Sequence, residues 1–330
     1  MTITAEHYQE TANLFQPVFK RFDNTERLQN EKPLLAHYTS IQVLEQMMKE
    51  QEVWFSNPLF MNDLEEVRFG INEGVRLFLS HEDISAAAGS KSRLDLLHHA
   101  FNHYFKMLDD EGAFDIYVFC LSEHRRENYD GLLSMWRGYG GHGNGAAIIF
   151  DTARLSLVQG SPLQLAKVYY GSQEQRRDQL LTILKEWCKI LEVSQIQDER
   201  LYAAAYMAFN AIKIFALTSK HDGFLEENEW QIIYLPEYDT ASHLKDSLSY
   251  HIPSQGVEPK LKFKVEPVVG KDFPKIELTS LIERIILGPS VSSKLALMSV
   301  KRMLTQFNRA ALVDHVFASS IPLRPMQHSR

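Results

Sequence analysis

Residues able to do chemistry gather at the ends of short apolar runs. His37, Tyr38 and Thr39 close the run LLAHYT, and Trp54, Phe55 and Ser56 lie in VWFS. Asn62, Asp63, Glu65 and Glu66 follow shortly after, and much later Glu226, Glu227 and Glu229 lead into NEWQIIYL, with Lys220 ahead of them. In an extended segment alternate residues share a face, so Glu227 and Glu229 would project together about 7 Å apart, with Trp230 turned to the core. Two carboxylates on one side can divide labour, one polarising a nucleophile and the other stabilising developing positive charge. Each cluster also has a structural reading. A histidine at a strand end is commonly a satisfied structural group, an Asn-Asp pair bonds its own backbone in a turn, and a Glu run is commonly a solvated edge. Asp63 followed three residues on by Glu66 is the pattern of a capping box for a helix starting near Leu64. Trp136, Tyr139 and His142 either wall a cleft or pack Trp136 beside a glycine-rich turn.

Other chemistries find no footing. His99 and His103 share a helix face, but Ala100 stands where a zincin needs Glu. There is no nucleophile elbow, P-loop or dinucleotide fingerprint; the glycines from Gly138 to Gly145 lack the lysine and the strand-turn-helix setting. Asp63, Glu65 and Glu66 cannot all share one helix face, which ranks a metal-dependent nuclease last. No metal is expected.

Composition bounds the class. The chain has 330 residues, 45% hydrophobic and 23% charged, enough for a sizeable core and unlike any disordered or collagenous sequence. Two cysteines, Cys120 and Cys188, each within an apolar run, point to buried thiols and a reducing cytoplasm. The start of the chain lacks the features of a signal peptide. Leu201 to Leu217 contains Asn210 and Lys213, so it reads as a core helix, and no membrane is expected. Net charge is −7, yet residues 257–330 carry 12 basic against 6 acidic residues. That basic third would meet a phosphate or an acidic partner, or simply form a solvated face.

The elements that position these residues alternate in type. Helical spacing marks 4–21, 41–48, 64–80, 92–109, 180–191, 201–217 and 292–307; strand patterns mark 34–39, 53–56, 116–123, 145–151, 166–170, 228–235, 281–287 and 311–317. The Gly-rich segment 131–145 and residues 236–260 read as loops. No repeat or linker is visible. The expectation is one α+β domain over 1–330: an N-terminal helical segment (1–30), a first part of the core (34–170), a helical insert (171–217) and a second part of the core (218–317).

Several segments together resemble the domain-of-unknown-function family 2971. They are HYTS at 37–40, WFSNPLFMNDLEE at 54–66, VFCLSE at 118–123, MWRGYGGHGNGAAIIFD at 135–151, KHDGFLEENEW at 220–230 and IERIILGP at 282–289. The resemblance, collinear over about residues 34–305, implies a bacterial, defence-associated protein. At a second level, LLAHYTSIQVLEQMMKEQEVWFS is similar to the opening of ADP-ribosyltransferases, especially the DNA-targeting toxins. That resemblance implies a central mixed or antiparallel sheet of the ADP-ribosyltransferase-like kind with inserted and flanking helices. It also implies NAD as cofactor, and a nucleic acid or protein as target. Carried over residue by residue, His37 would hold the NAD ribose, and Tyr38, Trp54 or Phe55 would stack on nicotinamide. Thr39, Ser56, Asn62 and Asp63 would line the cofactor pocket. Glu229 would be catalytic, with Glu227 its substrate-facing companion. Breaking the nicotinamide–ribose bond builds an oxocarbenium-like ribose that a carboxylate stabilises, as in glycoside chemistry. The competing expectation is a non-catalytic sensor or adaptor that hands a signal to a defence-system partner protein. It would bind through the aromatic, Gly-rich stretch 135–145 and the basic C-terminal third.

Overall fold

The computed structural model describes residues 5–62, 64–110, 112–155, 161–240, 242–253, 256–265 and 276–323. Its helices are α1 (Ala5–Lys20), α2 (Thr25–Glu31), α3 (Ile41–Glu50), α4 (Leu64–Ser80), α5 (Glu82–Ala88), α6 (Lys91–Asp110), α7 (Leu133–Gly138), α8 (Gln173–Val193), α9 (Leu201–Leu217), α10 (Leu278–Leu281) and α11 (Lys294–Gln306). The strands are β1 (Leu34–Ser40), β2 (Glu52–Ser56), β3 (Tyr117–His124), β4 (Gly145–Asp151), β5 (Leu163–Lys167), β6 (Tyr169–Gly171), β7 (Ser219–His221), β8 (Glu229–Tyr234), β9 (Leu248–His251), β10 (Glu258–Lys264), β11 (Ile282–Leu287) and β12 (Val316–Ala318). Two compact units emerge, each assembled from three separate stretches of chain. No composition shift marks their borders.

The first unit comprises residues 1–24, 57–116 and 165–225 and is mainly helical. Its centre is α9, buried on nearly every side, Asn210 and Lys213 included. A helix apolar all round belongs inside a helical layer. The stripe Leu180, Ile183, Leu184, Trp187 and Leu191 of α8 is buried as its spacing predicts, and the Trp187 indole donates to the Ala204 carbonyl at 2.9 Å. Close approach of α4 to α9 depends on glycine: a Cβ on Gly74 would lie 2.2 Å from Ile212 Cγ2, and one on Gly70 2.6 Å from Ala216 Cα. Parallel β6 and β7 complete the unit. Among the described residues no helix is long and apolar enough to cross a membrane.

The second unit comprises residues 25–56, 117–164 and 226–330 and is built on a mixed sheet. Strand order runs β12-β11-β4-β1-β3-β2-β10-β9, with β8 also on β3. The ladders named here are antiparallel except β11–β12. A parallel pair needs a crossover, and α11 supplies it. This accounts for a difference from expectation: of the strand expected at 311–317, residues 311–315 belong instead to the 3-10 turn Ala310–His315 that brings Val316 beside Ile285.

Two further departures have local causes. The Gly-rich segment contains α7, whose Met135 and Trp136 pack on Leu34, Ala36, Tyr38, Ala147, Ile149 and Ile286. Its glycines leave room for the indole, since a Cβ on Gly140 would lie 2.5 Å from Trp136 Cε3. The expected loop at 236–260 contains β9 and enters β10. Beta pairing there depends on β2, a partner distant in sequence.

The sheet forks at β3. On one edge β3 pairs with β8 throughout, Ser122 opposite Glu229 and Val118 opposite Ile233. On the other edge it pairs with β1 only at residues 122–124, and with β2 only where Ser56 meets Val118. Between these points β1 and β2 diverge.

Candidate functional site

Side chains directly opposite in a ladder share a face, so the registers sort the candidates. Ala36, Ser122 and Glu229 form one row across β1, β3 and β8. Tyr38, Cys120, Gln231, Val118, Ser56 and Trp54 have the same parity, as have Lys260 and Lys262 on β10. His37, Thr39, Phe55, Phe119 and Trp230 have the opposite one. The structure therefore brings Glu229 together with Tyr38, Trp54 and Ser56 on one face, and turns His37, Thr39 and Phe55 to the other.

Glu227 lies outside β8, contrary to the alternation expected of it and Glu229. It ends a 3-10 turn, and Asn228 follows with φ +41°, so the two glutamates do not belong to one extended run. Asparagine tolerates this left-handed conformation better than most residues. Its side chain donates to Glu123 at 2.6 Å, and the Trp230 indole donates to the other Glu123 oxygen at 2.8 Å. Glu123 thus fixes the reversal. Beyond it, the Glu227 carbonyl accepts from Ser122 Oγ at 2.5 Å, and its carboxylate accepts from the Tyr139 hydroxyl at 2.6 Å. Tyr139 packs against the cluster of Tyr38 and Trp136. Glu229 is buried and accepts from Gln231 Nε2 at 3.2 Å. The Gln231 Oε1 is buried with no hydrogen-bond partner among the described residues.

His37 stands in the fork. Its Nδ1 donates to the Cys120 carbonyl at 3.0 Å, satisfying a backbone group that no strand pairs at that point, and its ring lies 4.5 Å from Phe119. Burial pulls its pKa from 6.5 to about 4; the Cys120 bond acts the other way, and the Lys260 charge lowers it further. The imidazole is therefore neutral at pH 7. Tyr38 is pushed up to about 12 by burial; its oxygen accepts from Leu132 N–H at 2.9 Å, and Trp136 meets its ring edge-on at 4.8 Å.

The opposite arm of the fork is basic. Lys260 Nζ donates to Ser56 Oγ at 2.8 Å and lies 3.1 Å from Glu258. Lys262 Nζ sits 4.2 Å from the Trp54 ring centre, and the Trp54 indole donates to Glu52 at 3.2 Å. Phe55 packs on Phe119 in the core.

In the first unit, Asn62 lies in an exposed turn, and Asp63 lies outside the described residues. The expected capping box of Asp63 and Glu66 therefore also lies outside the described residues, and what is described of Glu66 is a different set of bonds. Its Oε2 accepts from buried Arg176 at 2.5 Å and from His221 N–H at 3.1 Å. Glu65 instead pairs outward with Arg68. Among the described residues no group of three His, Cys, Asp or Glu side chains has metal-binding geometry.

Sequence reasoning missed Ser122, Glu123, Gln231, Lys260 and Lys262. Only the excess of lysine in the C-terminal third hinted at the last two.

Residues 135–232 match the model of a family described as a protein of unknown function, DUF2971. The matched segment begins on α7 and ends on β8, so it encloses Tyr139, Glu227, Glu229 and Gln231. No curated protein and no solved structure matches the chain.

Proposed function

We propose that this protein is an NAD-consuming ADP-ribosyl-transfer enzyme, acting on a nucleophile of a nucleic acid or protein. The observation that carries the reading is the acidic pair at the entry to β8: the Glu227 carboxylate is held by Tyr139 and the buried Glu229 by Gln231. A buried carboxylate aimed at a ribose is the group that stabilises positive charge developing at C1′ when a glycosidic bond opens. NAD would supply nicotinamide as leaving group, its ring nitrogen taking the electron pair of the broken C1′–N bond. Glu229 would bond the ribose hydroxyls and face the developing charge. Glu227, oriented by Tyr139, would accept the proton of the attacking acceptor as the new C1′ bond forms.

His37 supports the reading in a different way from that expected. Lacking the parity of Glu229, it presents a neutral ring whose Nδ1–H is committed to Cys120, leaving Nε2 as an acceptor for a hydroxyl at the fork. The adaptor reading needed an exposed aromatic surface at 135–145, whereas Trp136 is wholly buried.

The test is nicotinamide release from NAD by purified protein, with and without cell lysate, compared with Glu229→Gln. Release that disappears in the variant, at unchanged thermal stability, is the expected result. Absence of release together with absence of NAD binding by calorimetry would overturn the proposal.

A further inference from the structure

We infer that Lys260, Lys262 and Ser56 form a phosphate subsite on the basic arm of the fork, taking the pyrophosphate of a dinucleotide. The identity of the ligand as NAD rests on the function proposed above; the subsite itself rests on the lysines. Their placement follows from register: Lys260 lies opposite Ser56 and Lys262 opposite Trp54, both side chains on the face of Glu229. Residues two apart on a strand are about 7 Å apart, a span that two flexible ammonium stems can close around adjoining phosphates.

Most lysines on a strand are solvated, and their charge does little. Lys260 differs, because only 12% of its side chain is exposed. It is held in place by Ser56 Oγ at 2.8 Å and has Glu258 as its carboxylate neighbour at 3.1 Å. On this face of β10 and β2 the charges are Lys260, Lys262 and Lys264 against Glu258 and Glu52, an excess of positive charge. Burial is the main cause that lowers both His37 and His251; the Lys260 charge adds to it at both, and at His251 Glu258 opposes the shift while Lys262 adds to it. The positive excess on this face suits it to an anion.

The same geometry reassigns Trp54. Its ring is only 7% exposed, with Lys262 over it at 4.2 Å and His251 at 5.3 Å. An aromatic face already occupied by an ammonium group is a platform for the cation, not for a nicotinamide ring. Trp54 therefore positions Lys262.

The test is calorimetric titration of the full chain with ADP-ribose, inorganic pyrophosphate and nicotinamide riboside, the last lacking the pyrophosphate. Wild type is compared with Lys260→Met and with Lys262→Gln, with thermal melts of each variant to check that it folds. The expected result is at least about tenfold weaker ADP-ribose binding in each variant, with nicotinamide riboside binding changed less than about twofold. Wild-type affinity for ADP-ribose should also fall with rising salt more steeply than that of either variant. Unchanged ADP-ribose affinity in both variants would overturn the subsite, as would wild-type protein that binds neither ADP-ribose nor pyrophosphate. Lysine-dependent pyrophosphate binding in a protein that releases no nicotinamide would uphold the subsite and refute the NAD reaction.

Discussion

Acidification should weaken the second unit through His37, and the size of the effect follows from its place in the fork. The folded protein holds this imidazole at a pKa of about 4, against 6.5 for the free side chain, chiefly because the ring is withdrawn from water. Above pH 6.5 both folded and unfolded states are neutral at this position, and it contributes no pH dependence. As pH falls below 6.5 the unfolded chain gains a proton that the folded one refuses, so stability drops until the folded pKa is passed. At about 1.4 kcal/mol per pH unit, the loss is about 2 kcal/mol between pH 7 and pH 4.5 and approaches about 3 kcal/mol at lower pH. Other groups titrate in this range, so the effect has to be isolated by a variant. His37→Asn keeps a donor for the Cys120 carbonyl and removes the titration. Urea unfolding of both proteins at pH 7 and pH 4.5 should show wild type losing about 2 kcal/mol more than His37→Asn. An NMR titration of the His37 ring would check the same point directly. Parallel losses in the two proteins, or a ring that titrates near 6.5, would refute the buried, carbonyl-bonded histidine.

Gly74→Ala should lower stability by about 1–2 kcal/mol in chemical denaturation, because a Cβ 2.2 Å from Ile212 Cγ2 overpacks α4 on α9 by more than the alanine preference of a helix returns. Gly138→Ala in α7, where a Cβ meets nothing within 4 Å, should instead be neutral or gain up to about 1 kcal/mol. Tyr139→Phe removes a 2.6 Å bond to the Glu227 carboxylate; urea unfolding should show a loss of about 1–2 kcal/mol, and any nicotinamide release should fall with it. Glu66→Ala takes the carboxylate from buried Arg176 and should destabilise the first unit by about 3–5 kcal/mol in thermal or urea melts.

Local pattern made much of the fold legible. Ser40 caps α3 through a 3.2 Å bond from Val43 N–H, as its position before an amphipathic run predicts, and α4 and α9 keep the limits read from spacing. The helices read from spacing at 180–191 and 201–217 lie in α8 and α9. Short strands whose partners are remote were less legible: β9 and β10 hide in a stretch rich in proline and polar residues, because their pairing with each other and with β2 is a property of the sheet.

The candidate site divides the same way. Strand alternation sufficed to turn Trp230 into the core. Parity within LLAHYTS already separates His37 from Tyr38. Which of the two shares a face with Glu229 depends on register across β1, β3 and β8, and register is a tertiary quantity. Glu227 is set off from the strand of Glu229 by the left-handed turn at Asn228, which Glu123 stabilises from another strand. Lys260 and Lys262 came opposite Ser56 and Trp54 when β10 paired with β2. The sequence by itself determined the chemistry available, since side-chain type and local spacing are encoded residue by residue. Which of those groups meet was decided by long-range pairing, whose hydrogen bonds carry no local signature.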